Sequence, residues 1–152
     1  MVEKTFVFLK PETVMRGLVG ETVSRIENKG FNIAAMKLVW MTRDQAERLY
    51  EMHRGKKFYE QLVEHVTSGP IVAMVVEGPY AIQAVRKMIG ATNPVEAEPG
   101  SVRGDYALAT TCNIIHASDS PENAEREIKI FFKKDEILSY EKPTEKKYLF
   151  TP

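Results

Sequence analysis

Apolar positions change period several times along the chain, and the changes mark out alternating strands and helices. Thr5 to Lys10 is a β-rich apolar run that predicts a buried first strand. Pro11 then opens a helix in which Met15, Leu18, Val19, Thr22, Val23 and Ile26 follow helical spacing, with Gly30 as its stop. Asn32 to Trp40 reads as a second strand. Thr42-Arg43-Asp44-Gln45 has the capping-box pattern and predicts a helix start. Phe58, Tyr59, Leu62, Val63 and Val66 continue helical character until Gly69-Pro70 breaks it. Ile71 to Glu77 suits a central strand. Gly78-Pro79 leads into a helix with Ile82, Val85 and Ile89 on one side, stopped at Gly90. Ala91 to Gly104 reads as a loop whose length points to function. Asp105 to Ala109 reads as the fourth strand. Ser120 as cap and Pro121 at the first helical position begin a helix running to about Phe132. The tail from Lys133 is charged, with apolar anchors at Ile137, Leu138, Tyr148, Leu149 and Phe150.

The order β, α, β, paired short helices, β, α, β, α predicts a single domain over residues 1–152. Its class is α+β, a ferredoxin-like sandwich with a four-stranded antiparallel sheet and helices packed on it. A chain of 152 residues can bury a core of that kind without staples. Basic and acidic side chains balance at 21 each, which argues against a broad nucleic-acid-binding face. With one cysteine, Cys112, no internal disulfide can form, and a reducing cytoplasmic setting is expected. The longest uninterrupted apolar run, Ile71 to Val76, is too short to cross a bilayer, and Glu3, Lys4 and Lys10 break any secretory pattern, so no membrane partner is expected.

Familiar phosphate motifs are missing. None of the nine glycines fits a Gly-x-x-x-x-Gly-Lys-Ser/Thr or Gly-x-Gly-x-x-Gly loop, and there is no His-Glu-x-x-His. Three histidines and one cysteine are scattered, so no metal-ligating residues are assigned. The most informative stretch is Asn113-Ile114-Ile115-His116-Ala117-Ser118-Asp119-Ser120. A neutral imidazole offers a ring nitrogen that can attack phosphorus and carry the phosphoryl group, provided the other nitrogen has an orienting partner. Glu127 is a candidate partner: on the predicted helix it lies about 40° from Phe131, at the border of an Ala124, Ile128, Phe131 and Phe132 stripe. It either reaches into a site or is a solvated helix charge. Lys10, Arg86, Thr92 and Arg103 lie at the end of the first strand or near the ends of the long loop and could supply cations and donors to phosphate oxygens if folding gathers them.

The stretch around His116 resembles the active-site signature of nucleoside diphosphate kinases. Further likenesses are Thr5-Phe6 through Lys10-Pro11-Glu12, Ser68-Gly69-Pro70 before Val72-Ala73-Met74, Gly90-Ala91-Thr92-Asn93-Pro94, and Pro99 to Asp105. The resemblance covers nearly the whole chain. It implies a ping-pong reaction in which a nucleoside triphosphate, with ATP as the expected donor, phosphorylates His116 and a nucleoside diphosphate takes the phosphate. It implies that Glu127 orients the ring with Ser118 nearby, that Tyr50 sits beside the histidine, and that Arg86, Thr92 and Arg103 hold phosphates. Lys10 and Asn113 would contact the sugar hydroxyl and phosphate region, and Phe58 would stack on the base, which suits broad base tolerance. Mg2+ would be bound mainly through nucleotide phosphates. A homo-oligomer is implied, a hexamer ahead of a tetramer, to which the apolar tail could contribute. Three features depart from the family pattern: Cys112 stands where arginine is usual, Thr111 where glycine is common, and Glu12 where aspartate is commoner. His53 and His65 match no motif position and are expected on the surface. A nucleotide-binding regulator and a protein phosphocarrier remain as other readings.

Overall fold

The computed structural model describes residues 2–150. Four strands form one antiparallel sheet: β1 (Val2–Leu9), β2 (Asn32–Trp40), β3 (Pro70–Pro79) and β4 (Ile115–Ala117), in the order β2-β3-β1-β4. This is the predicted architecture. The central strands β1 and β3 read as continuous apolar runs because both of their faces are covered. Phe6 and Phe8 point to one face and Val7 and Leu9 to the other, as the two-residue period of a strand requires.

Helices cover both faces. On one lie α3 (Arg43–Leu49), α4 (Tyr59–Val66) and α7 (Pro121–Phe131), packing Leu49, Val63, Val66 and Phe131 around Phe6 and Phe8. On the other lie α2 (Val19–Lys29), α5 (Ala81–Ile89) and α6 (Val102–Tyr106), burying Ile26, Val85, Ile89 and Val102 against Val7 and Leu9. The predicted capping box closes on Thr42 and Gln45, and the Ser120 hydroxyl accepts the Asn123 N–H with Pro121 at the first helical position.

Two predicted boundaries are wrong. The single helix after Pro11 is split into α1 (Pro11–Met15) and α2, because Gly17 takes a left-handed φ of 70°. The predicted strand Asp105–Ala109 is not a strand. Ser101 caps a helix there, its hydroxyl accepting the Gly104 N–H, and Asp105 is drawn to Arg25 at 2.7 Å and to the Gly100 N–H. A Cβ at position 104 would run into the Glu98 carbonyl, so this turn needs glycine. The fourth strand is instead the three residues that carry His116. The predicted loop accordingly holds a 3₁₀ turn, Pro94–Glu96, and the first residues of α6.

Part of the tail packs within the chain. The Leu138 N–H donates to the Ala34 carbonyl and the Tyr140 hydroxyl to the Ile33 carbonyl, after which α8 (Pro143–Tyr148) follows. Among the described residues, no helix is long and apolar enough to cross a membrane.

Candidate active site

β4 pairs with β1 so that His116 faces Phe8 across the ladder. The two rings stack at 5.0 Å, and Tyr50 meets the imidazole edge-on at 6.5 Å. On the other side α7 brings Glu127 to the ring. Its Oε1 lies 2.7 Å from His116 Nε2, and the Ser118 hydroxyl donates to the same oxygen at 2.8 Å. The carboxylate accepts the Nε2–H, so the proton sits on that nitrogen and the lone pair on Nδ1. Glu127 is 3% exposed, which resolves its border position on α7 in favour of the site. Ser118 is buried outright, its hydroxyl turned to the Glu127 carboxylate.

A strained turn precedes the histidine. Ile114 has φ 78°, rare for a β-branched residue, and the Ile115 N–H closes back on the Asn113 carbonyl at 2.9 Å. Three partners from the first turn of the chain hold it. The Glu12 carboxylate accepts the Ile114 N–H at 3.0 Å, while the Ile114 carbonyl accepts the Lys10 N–H at 2.9 Å and the Thr13 hydroxyl at 2.6 Å.

A cavity of about 450 Å³ opens over His116 and is lined also by Lys10, Tyr50, Arg86, Thr92, Arg103 and Asn113. The predicted cations therefore do converge. Arg103 is buried and spends three donors on the carbonyls of Gly90, Asn113 and Ile115, at 2.9, 3.2 and 2.6 Å. It thus ties the long loop to β4 and still has unused donors of the five a guanidinium carries. Burial and the neighbouring Arg86 push it down to about 10, so it stays charged at neutral pH. Arg86 donates to the Ala117 carbonyl at 3.0 Å. Burial pushes Lys10 down to about 8, against the pull of Glu12. Burial, with the carboxylates of Glu127 and Glu12, pushes the Tyr50 phenol up, so it remains a neutral hydroxyl.

A second cavity of about 560 Å³ shares Lys10, Thr92 and Asn113 with the first and extends to Phe58. Phe58 sits at the start of α4 outside the core, 47% exposed, with His53 edge-on at 5.2 Å. Asn113 Nδ2 donates to the Thr92 carbonyl at 2.9 Å, while Oδ1 is buried without a partner.

The nucleoside diphosphate kinase family model matches residues 3–137. The chain belongs to the nucleoside diphosphate kinase family. A relative from Methanocaldococcus jannaschii is 62% identical over 138 residues, covering 91% of this chain and 99% of its own. One from Thermosipho melanesiensis is 60% identical over 139 residues, covering 91% and 95%. Both are nucleoside diphosphate kinases. The solved structure of a halophilic nucleoside diphosphate kinase from Halobacterium salinarum in complex with CDP superposes with a TM-score of 0.91 at 41% identity, covering 93% of this chain and 95% of that one.

In this nucleoside diphosphate kinase fold the cavity walls carry Lys10, Tyr50, Phe58, Arg86, Thr92, Arg103, Asn113, His116 and Glu127, all named from the sequence, but two histidines expected on the surface lie elsewhere. His65 is not a free surface residue: its Nε2 lies 2.7 Å from Glu12 Oε1 with the side chain 18% exposed. Burial opposes the Glu12 charge, yet the His65 and Ile114 hydrogen bonds hold its carboxyl below the usual range. His53 likewise stands on the wall of both cavities. Neither position carries a local signal, since 53 residues separate Glu12 from His65.

Proposed function

We propose that the nucleoside diphosphate kinase activity of this chain runs by a ping-pong route through a phosphohistidine on His116. The observation that carries this reading is the 2.7 Å contact between His116 Nε2 and Glu127, which leaves Nδ1 as the nucleophile facing the cavity. Nδ1 attacks the terminal phosphorus of a nucleoside triphosphate. The N–P bond forms as the bond to the diphosphate oxygen breaks, and Glu127 offsets the charge that develops on the ring. A nucleoside diphosphate oxygen then attacks the same phosphorus and frees the nitrogen. Arg86, Arg103 and Thr92 hold the phosphates, Lys10 and Asn113 take the sugar hydroxyl and phosphate region, and Phe58 stacks on the base. Tyr50 packs against the imidazole, and Ser118 positions Glu127.

Mg2+ would be held mainly by the nucleotide phosphates and water, supplying charge neutralisation there. The residues fit that division. The two carboxylates on the inner cavity are Glu127, taken up by His116 and Ser118, and Asp119, one oxygen of which accepts from Asn123 at 2.7 Å, so neither is set out as a metal cage. The whole chain, residues 1–152, acts as one domain in the cytoplasm, with ATP as donor. It works as a homo-oligomer, a hexamer ahead of a tetramer; the exposed apolar residues Met36, Leu38 and Trp40 on the edge strand β2 support an interface there.

The test is to incubate the protein with Mg2+ and γ-labelled ATP and then add GDP. Acid-labile label on the protein, absent in His116→Ala and passed to GTP by the wild type, is the expected result. Nucleotide binding with neither label nor GTP would replace this reading with a regulatory one.

A further inference from the structure

Glu12 on α1, His65 near the end of α4 and Cys112 just before β4 meet at one point of the fold. The Glu12 carboxylate oxygen, the His65 ring nitrogen and the Cys112 sulfur all lie within 4.8 Å of one another, and all three side chains are partly buried. We propose that they form a binding site for a zinc-class divalent cation. None of its three residues lines the cavities over His116 and Phe58, although Glu12 also holds the turn at Ile114 behind them.

The donor set selects the metal. A thiolate and an imidazole nitrogen favour Zn2+ or Co2+ over the harder Mg2+ and Ca2+. With bonds of about 2.0 to 2.3 Å, tetrahedral Zn2+ keeps its ligand atoms roughly 3.3 to 3.8 Å apart. The Glu12–His65 contact of 2.7 Å would open slightly, and Cys112, no more than 4.8 Å from either, would close by at most about 1.5 Å, a change within side-chain rotation. The carboxylate is already oriented: Oε2 is fixed by the Ile114 N–H, which leaves Oε1 for the ion. Three protein ligands leave a fourth position for water or an added donor.

Binding balances without redox change. The Cys112 thiol gives its proton to solvent as the metal–sulfur bond forms, and the neutral His65 ring moves its proton to Nδ1 so that Nε2 can coordinate. About one proton leaves per cation bound.

The experiment is equilibrium dialysis of the full, chelator-stripped chain against Zn2+ alone, with Co2+ as a spectroscopic stand-in. One equivalent of Zn2+ per chain is expected, with a thiolate-to-Co2+ charge-transfer band in the Co2+ form. Cys112→Ser should abolish the band, and Cys112→Ser and His65→Asn should each weaken Zn2+ binding at least about tenfold. A wild-type chain that takes up no Zn2+ at micromolar concentration overturns the proposal. So does Co2+ bound without the charge-transfer band, or Zn2+ binding that neither substitution alters.

Discussion

The pocket floor around His116 and the mouth around Phe58 hold their chemistry to different degrees. At the floor almost every polar group is tied down. Glu127 is buried and shared by His116 and Ser118, Arg103 grips three carbonyls, and Ile114 is kept in a strained turn by partners from the first strand and helix. At the mouth Phe58 stands half exposed beside His53, with Lys56 Nζ 5.7 Å above its ring. The contrast matches what the proposed mechanism asks of each end. Phosphoryl transfer gains from donors fixed in advance, because reorienting them during the reaction raises the barrier. A base platform serves several bases only if it reads none of their edges.

That comparison can be broken from the floor first. Arg103→Ala removes a charged donor from three carbonyls, of which that of Asn113 keeps the Ile115 N–H, at about 1 to 3 kcal/mol for each one left buried and unsatisfied. Thermal unfolding should shift down by about 6 to 12 °C for a loss near 3 kcal/mol, with exchange falling by more than the loss of one phosphate contact explains. Glu127→Ala leaves the nucleophile but frees its ring; rapid-quench phosphorylation by ATP should slow by roughly 10²-fold while the nucleotide Kd changes little. An unchanged rate would remove Glu127 from the floor's machinery.

Two smaller effects sharpen the difference. Lys10, pushed down to about 8 by burial, carries its charge below that pH and loses it above, so kcat/KM for the triphosphate should fall as pH rises past about 8. Bound phosphate favours the ammonium, so kcat should hold to higher pH. Folding stability moves the other way, rising with pH from about 8 toward 10.5, where only the unfolded chain still binds the proton. Phe58→Ala should raise KM about tenfold for all bases alike with kcat nearly unchanged, from stacking worth about 1 to 3 kcal/mol. A base-selective loss would mean that the mouth reads edges after all.

How much of this was legible follows from what each residue answers to. Ser120-Pro121 and Thr42 to Gln45 state helix starts locally, and the folded chain keeps them. β1 and β3 show as apolar runs because they are buried on both faces. β4 was hidden because three residues are too few for a period to appear, and Asp105–Ala109 imitated a strand while Ser101 and Arg25 turned it helical. His116 and the lining cations were named from the chain, and Glu127 was half legible from its angle on α7. The clasp by Arg103 was not, since its three acceptors belong to distant segments that only folding assembles. The Glu12–His65 pair was hidden for the same reason.

The pairing of β4 with β1 also has a consequence in time. Val7 meets Ala117 across the ladder, so one wall of the cleft leaves the ribosome over a hundred residues before the other. Until then Phe8 and Leu9 lack their β4 partners, and Lys10 has no Ile114 carbonyl to donate to. Contacts of such long sequence separation form late, after chain closure has been met by nearer ones. During synthesis the nucleotide can therefore meet an assembled cleft only once residues through α7 are out, and a nascent chain stalled within α7 carries His116 without its Glu127 partner.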